Sequence, residues 1–353
     1  MDIKGLTETL CSLMSVSGHE TYSREALRAI AGTGFDEMRG DAVGNFIFVK
    51  RCKKPGAPSV LIDTHFDEIG FFVTGIKEGG FLGITPVGGL DPAILQASRV
   101  AVYGKDRKVI HGVITSTPPH LKKKNEGKKL KNADELLIDT GYSVKELEKY
   151  VSVGSPAGFE PVYTELISGR LAGRSFDNKA CCAAALNAVM SADAGELAAD
   201  VYLQFSCYEE TLPTGGAAAG TFGISPDYAV VIDVNFAAEP GAPEFETVNM
   251  GEGISVTLSS STDRRLTRMA MQLCADKDIK YQRVASPSST GTNAVCVNLT
   301  GRGVPVVDVG IPIKGMHTYN EILSLDDVCS LSRFVGAFIC SDKIASAFGG
   351  YSE

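Results

Sequence analysis

Apolar stretches along this chain repeatedly stop at acidic or histidine residues. Continuous apolar runs such as SVLID and YAVVI are typical of strands buried on both faces of a parallel sheet. In open α/β sheets, ligands bind beyond the carboxyl ends of the strands, so residues that follow different strands meet at one edge. Metal-binding side chains occur at five such places: His65-Phe66-Asp67, Asp177, Glu209-Glu210, Asp233 and His317. The pattern predicts a divalent-metal site at this edge, with enough ligands for two ions.

The remaining pattern predicts two kinds of domain. Between residues 70 and 167, short strand-like segments alternate with Gly-rich turns, which is typical of a β-rich module. From residue 168 onward, strands and helices alternate, which predicts a doubly wound α/β domain with helices on both faces of the sheet. We therefore expect an α/β domain built from residues 1–69 and 168–353, with a β-rich insertion at 70–167.

Composition narrows the class of protein. The net charge of −8 over 353 residues argues against nucleic acid as the main partner, because phosphate binding favours a basic surface. No apolar run approaches the length of a membrane span, and the first residues are too polar for a signal peptide. The nine cysteines include no C-x-x-C pair, which indicates reduced thiols. These features predict a cytoplasmic protein that binds neither membrane nor nucleic acid.

Each candidate residue has a plainer interpretation when taken alone. His65 could bind a metal through a neutral ring nitrogen, with Asp67 holding the imidazole, but H-x-D is a weak signal. Asp177 could simply cap the Ala-rich helix that follows it. His317 alone would usually be a surface histidine in a loop, whereas Asp233 interrupts an apolar run and would be half-buried and unpaired unless it met a cation. Only the five places together favour a metal centre.

The pair Glu209-Glu210 is the most informative of the five. Adjacent carboxylates repel each other, and the end of an apolar strand is an unfavourable place for them without a cation. One glutamate could bind a metal while the other acts as general base on the attacking water. A solvated loop remains the alternative for the pair by itself.

The order H-x-D, D, E-E, D, H resembles the two-metal aminopeptidases of the M42 and M28 families and the M20 amidohydrolases. The longest gap separates Asp67 from Asp177, which is the arrangement of M42, whereas M20 enzymes carry their extra domain between the fourth and fifth ligands. Motifs along nearly the whole chain agree with M42: SVSGHE, THFDEIGFFV, VGGLDPAILQASRV, HGVITSTPPHL, LLIDTGYSVKE, GRSFDNKACC, YEETLPTGGAAAG and GIPIKGMHTYNEILSLDDV. The chain therefore resembles the glutamyl aminopeptidase-like M42 family.

The resemblance implies a set of metal ligands. Asp177 would bridge two divalent ions, Zn or Co with Mn as a further possibility. His65 and Asp233 would complete one ion's ligands, and Glu210 and His317 those of the other.

The resemblance also implies roles for the remaining residues. Glu209 would be the general base and Asp67 would orient His65. The peptide bond between Asp177 and Asn178 would be cis. The fold would be a zinc-peptidase-like α/β domain with a PDZ-like or barrel insertion used in dimerisation.

The implied activity is removal of N-terminal residues from short peptides by a homo-oligomer, built from dimers into a hollow dodecamer. A metal-dependent deacylase of N-acyl amino acids or peptides on the same site is the alternative. A glucan-processing or non-catalytic role is less favoured, because the chain has no Trp to stack on sugar rings and all five ligands and the base are present. Three segments depart from the family pattern and leave the preferred N-terminal residue (acidic, basic or aliphatic) open: the FDNK segment, Thr211–Gly215, and Asn293 in place of the Asp of G-T-D.

Overall fold

A computed structural model describes residues 2–116, 120, 132–212, 215–243 and 247–349. Residues 213–214, within the departing segment Thr211–Gly215, and residues 117–119 and 121, within the motif HGVITSTPPHL, lie outside the described residues. In chain order the strands are β1 Glu37–Gly40, β2 Phe46–Lys50, β3 Ser59–His65, β4 Gly70–Ile76, β5 Leu82–Val87, β6 Arg99–Tyr103, β7 Val109–Ile114, β8 Leu137–Asp139, β9 Pro156–Phe159, β10 Thr164–Leu166, β11 Arg170–Gly173, β12 Asp200–Ser206, β13 Tyr228–Phe236, β14 Ile254–Ser259, β15 Tyr281–Ser286, β16 Val306–Ile313 and β17 Glu321–Ser324. The α-helices are α1 Ile3–Ser12, α2 Arg24–Ala31, α3 Pro92–Leu95, α4 Val144–Leu147, α5 Phe176–Ser191, α6 Gly215–Ile224, α7 Arg264–Asp276, α8 Ala294–Asn298, α9 Leu325–Ile339 and α10 Asp342–Phe348.

An eight-stranded sheet in the order β1-β2-β12-β3-β13-β16-β14-β15 forms the centre of the larger domain. Strands β12, β3, β13 and β16 are mutually parallel, as the apolar runs predict. Strand β2 runs antiparallel to β12, and β14 antiparallel to β16. The sheet is therefore mixed, and the predicted α/β class is confirmed.

Helices cover both faces of this sheet, which explains why its central strands are apolar throughout. On β3, Val60 and Ile62 pack into a core that includes α5 and α9, whereas Leu61 packs on the opposite face beside α6 and α8. Alternating residues of a strand point to opposite faces, so both sets must be apolar. Helix α5 is rich in Ala and Cys, and these small side chains are fully buried against the sheet.

A closed six-stranded barrel in the order β4-β5-β8-β7-β6-β9 forms the second body. Its strands span Gly70–Phe159, within the predicted insertion 70–167, and it has its own apolar core around Phe71, Ile84 and Val102. Strands β10 and β11 follow the barrel in the chain. They form a small antiparallel sheet with β17, the strand that follows His317. The β-rich character of the insertion is thus confirmed.

The cysteines and the helices can be compared with what the composition predicts. No disulfide joins any of the nine cysteines, all of which lie in described segments. Among the helices of the described residues, none is long and apolar enough to span a membrane.

Candidate metal centre

The five predicted places converge at the carboxyl ends of the central strands. His65 is the last residue of β3, Glu209 and Glu210 follow β12, and Asp233 lies within β13. Asp177 is in the first turn of α5, and His317 is in the loop after β16. All of them line one cavity of about 370 Å³. The peptide bond between Asp177 and Asn178 is cis.

Asp177 lies between the two histidines. Its Oδ1 is 3.1 Å from Nε2 of His65, and its Oδ2 is 3.5 Å from Nε2 of His317. The same His65 nitrogen lies 3.4 Å from Asp233 Oδ1, and the His317 nitrogen lies 3.4 Å from Glu210 Oε2. The predicted ligands therefore divide into two groups that share the Asp177 carboxylate.

The second ring nitrogen of His65 shows which nitrogen is available to a metal. Nδ1 lies 3.1 Å from the backbone carbonyl oxygen of Asp67. A carbonyl oxygen only accepts hydrogen bonds, so Nδ1 carries the hydrogen in this contact. In a neutral imidazole, Nε2 then has a free lone pair directed at Asp177 and Asp233.

The carboxylates of the centre are crowded and partly unsatisfied. Glu210 Oε1 is buried without a hydrogen-bond partner within the described parts of the chain. Burial, reinforced by Asp177, raises the pKa of the Glu210 carboxyl well above its ordinary value. Burial also raises the pKa of Asp233, although His65 opposes the shift. A divalent cation would relieve this repulsion and occupy the free acceptor, so these residues fit a metal centre. One ligand atom each from His65, Asp177 and Glu210 lies within 4.8 Å of the other two.

Charged hydrogen bonds stabilise the ionised form of Asp177. Burial alone would raise the pKa of this carboxyl, but hydrogen bonds from His317 and His65 lower it overall. Burial likewise disfavours a charged His65, yet the neighbouring Asp233 and Asp177 raise the pKa of its imidazole. The surroundings therefore favour an ionised Asp177 beside a positively charged His65, and they would favour a bound cation for the same reason.

Asp67 contacts the loop that carries the paired glutamates. Its Oδ1 accepts a hydrogen bond from the backbone N–H of Glu209, and its Oδ2 accepts one from the backbone N–H of Glu210, each at 3.1 Å. Its carboxylate is 3.6 Å from Nδ1 of His65, farther than its own carbonyl oxygen. Asp67 therefore connects the predicted ligand His65 to the predicted base.

Sequence reasoning missed two buried acids beside the centre. Glu321 Oε2 accepts hydrogen bonds from the backbone N–H groups of Phe176, at 2.6 Å, and Asp177, at 3.2 Å. Glu68 lies 2.9 Å from Nζ of Lys179 and 3.4 Å from Nη2 of Arg174, and all three side chains are almost completely buried. Glu68 follows Asp67 directly and could have been suspected from that position. Nothing in the sequence around Glu321 indicated burial.

The departures from the family pattern have structural partners. Lys179 points away from the cavity toward Glu68. The buried amide of Asn293 donates to Asp63 Oδ2 and to Ser206 Oγ, each at 3.1 Å. An aspartate in place of Asn293 would bring a second carboxylate against Asp63, so the amide fits this chain's own neighbours.

Comparisons with known proteins identify the family of this chain. The family model described as M42 glutamyl aminopeptidase matches residues 44–334. The lysyl aminopeptidase of Pyrococcus furiosus is 29% identical over 329 residues, which cover 92% of this chain and 93% of that protein. An aminopeptidase from the archaeon Desulfurococcus kamchatkensis has a similar structure, with a TM-score of 0.89, 28% identity and coverage of 99% of this chain and 98% of that one.

A third similar protein is the Pyrococcus horikoshii TET1 peptidase, which can assemble into a tetrahedron or a large octahedral shell. Its TM-score is 0.83 and its identity 25%, over 96% of this chain and 99% of that one. The family match covers most of the present chain and includes every predicted site residue. This chain belongs to the M42 glutamyl aminopeptidase family.

Proposed function

We propose that this protein is a two-metal aminopeptidase that removes N-terminal residues from short peptides. The observation that carries the proposal is the Asp177 carboxylate, whose two oxygens face ring nitrogens of different histidines. His65 and Asp233 would share one divalent ion with Asp177. Glu210 and His317 would share the other with it. Nitrogen and oxygen ligands of this kind suit Zn²⁺, Co²⁺ and Mn²⁺.

Bound divalent cations would supply Lewis-acid chemistry, because they make water a nucleophile near neutral pH and stabilise negative charge on a peptide carbonyl oxygen. Glu209 is the proposed general base. Its Oε2 lies 4.0 Å from Nε2 of His65, and its side chain lines the cavity and is 20% exposed. It can therefore accept a proton from an attacking water and return it to the leaving amine.

The surroundings of Glu209 raise the proton affinity of its carboxyl when no cation is bound. Burial raises its pKa to about 8, with added repulsion from Asp233 and Asp177, although His65 opposes the shift. Asp67 fixes the backbone of Glu209, and so limits the directions in which the carboxyl can point. Proximity of this kind is the contribution that the chain itself makes to the reaction.

The assembly and domain roles are part of the proposal. Residues 1–69 and 168–353 would form the catalytic domain, and residues 70–167 would serve in dimerisation. The similarity to the TET1 peptidase of Pyrococcus horikoshii supports a homo-oligomer, for which we propose a dimer-built dodecamer. A closed shell would restrict substrates to short or unfolded peptides, which fits a cytoplasmic enzyme acting on peptide fragments.

The test is hydrolysis of a panel of free-amine aminoacyl anilides by chelated protein, with and without added Co²⁺ or Zn²⁺. Release of the anilide only when metal is added would support the proposal, and the preferred residue would define the side-chain pocket. Binding of metal without hydrolysis of any free-amine substrate would contradict it. Hydrolysis of N-acyl amino acids instead would favour the deacylase.

A further inference from the structure

The loop that carries the proposed base is held by three successive backbone N–H groups. The N–H groups of Glu209 and Glu210 donate to the two oxygens of Asp67. The N–H of the preceding residue, Tyr208, donates to Oε1 of Glu20 at 3.2 Å. Two carboxylates from distant parts of the chain therefore fix consecutive peptide groups of one loop.

Tyr208 is the position where this loop needs such support. Its φ is 64°, in the left-handed region that non-glycine residues rarely adopt. A left-handed residue persists when the surrounding structure over-determines it, and such residues often occur at functional sites. The turn at Tyr208 determines the direction in which Glu209 leaves strand β12, so its stability bears directly on the proposed base.

Glu20 belongs to the SVSGHE motif, to which the proposed reaction gives no role. Its side chain is 6% exposed, and no Lys or Arg forms an ion pair with it in the part of the chain described here. The same Oε1 also accepts the N–H of Gly18 at 3.0 Å. Burying a carboxylate without a countercharge is costly, so its backbone hydrogen bonds are what compensate it.

Other residues of the motif contact the same region. Ser17 Oγ lies 2.9 Å from Thr211 Oγ1, just after the paired glutamates. Ser15 Oγ donates to the carbonyl of Phe66 at 2.7 Å, next to His65. The SVSGHE segment thus supports both the H-x-D strand end and the loop of the base, with Glu20 as its contact to the left-handed turn.

We propose that Glu20 is a positioning residue, which holds Tyr208 so that Glu209 points at the reacting water. This inference rests on the proposed role of Glu209 as base. Glu20 does not line the cavity of the centre, so we expect it to act through the loop backbone rather than by contact with substrate. Its effect should therefore fall on the chemical step rather than on the binding of metal or substrate.

Two substitutions separate the positioning role from charge. Glu20→Gln keeps an oxygen that can accept both N–H groups, because both bonds end on Oε1. Glu20→Ala removes the acceptor. We expect Glu20→Ala to lower kcat at least roughly tenfold with KM and metal stoichiometry unchanged, since small misplacements of catalytic groups are costly. Glu20→Gln should retain kcat within about twofold. The matched control is Glu25→Ala, because the Glu25 side chain is 80% exposed and forms a surface pair with Arg107.

A readout without metal distinguishes this inference from the proposed function. Hydrogen–deuterium exchange of the peptide covering residues 207–212, measured on the metal-free full-length protein, should speed up in Glu20→Ala and stay at the wild-type rate in Glu20→Gln. An inactive wild-type enzyme with this exchange pattern would overturn the aminopeptidase proposal but leave the contact standing. If Glu20→Ala fails to fold, Glu20→Asp takes its place, because its shorter side chain withdraws the acceptor. Unchanged kcat and unchanged exchange in Glu20→Ala or Glu20→Asp would overturn the positioning role. A loss of kcat in Glu20→Gln equal to that in Glu20→Ala would also overturn it.

Discussion

The Asp67 carboxylate accepts the backbone N–H of Glu209 at 3.1 Å, and through its second oxygen that of Glu210. One side chain therefore fixes both the proposed base and a proposed metal ligand. Asp67→Asn replaces one acceptor by an NH₂ group, which would face an N–H donor. We expect kcat/KM to fall roughly 10–100-fold, as is usual when an outer partner of a metal site is lost. Steady-state kinetics on the preferred aminoacyl anilide measures the effect.

The matched control for this change is Asp276→Asn, an equally conservative substitution at an exposed position in α7. It should leave both kinetics and unfolding unchanged. Wild-type kinetics in Asp67→Asn would show that the two backbone contacts are dispensable for the site.

Glu209→Gln tests the proposed base itself. Glutamine has the same shape as glutamate but cannot take up a proton from water near neutral pH. We expect kcat to fall by about 10²–10⁴-fold, the usual contribution of a general base. Metal binding, measured by calorimetry, should be retained, because Glu209 is not among the proposed ligands. Loss of metal together with activity would instead make Glu209 a ligand.

The candidate centre could be predicted from strand ends because its residues interrupt apolar runs. His65 ends a buried strand and Asp233 interrupts another, and such contrasts are visible in a single sequence. The parallel order of the central strands then brings them to one edge. The M42 resemblance supplied the remaining assignments, including the role of Asp177, which by local pattern alone could have been a helix cap.

Other features depend on contacts that no local pattern records. Glu20 and Glu321 are single acids in polar segments, and only the fold shows that they are buried and bound to backbone N–H groups. Strand β14 pairs antiparallel with β16 and parallel with β15, and these directions are fixed by long-range pairing rather than by its own residues. Strands β10 and β17 are three and four residues long, too short for a periodic signal.

Removing the charge of Glu68 from its buried cluster with Arg174 and Lys179 should lower stability strongly. Glu68→Gln would leave two buried cations without their carboxylate. Breaking a buried ion pair by removing one partner typically costs about 3–5 kcal/mol, so we expect a loss of that order in the free energy of unfolding. Urea denaturation measures it. Glu252→Gln, in the exposed pair with Lys280, should cost less than about 1 kcal/mol. Similar small losses for both variants would contradict the burial of this cluster.

Replacing Asp308 by Asn should stabilise the protein by an amount that depends on pH. Burial raises the pKa of its carboxyl from 3.8 to about 6, although hydrogen bonds from Thr292 and Thr257 oppose the shift. The folded state thus holds this proton more tightly than the unfolded state. The contribution of Asp308 to stability is favourable at low pH and is lost as pH rises from 3.8 to about 6.

Asp308→Asn removes the charge but keeps an oxygen that can accept the Thr292 hydroxyl, which lies 2.6 Å away. Relative to wild type, the variant should therefore gain stability as pH rises through this window. The gain should level off above pH 6 at roughly 2–3 kcal/mol, the equivalent of a pKa shift of about two units. Urea unfolding at a series of pH values between about 4.5 and 8 measures the difference, with Asp276→Asn as the exposed control. A difference that shrinks with rising pH would have the wrong sign for a carboxyl whose folded-state pKa is raised, and would show that Asp308 is stabilised as the anion.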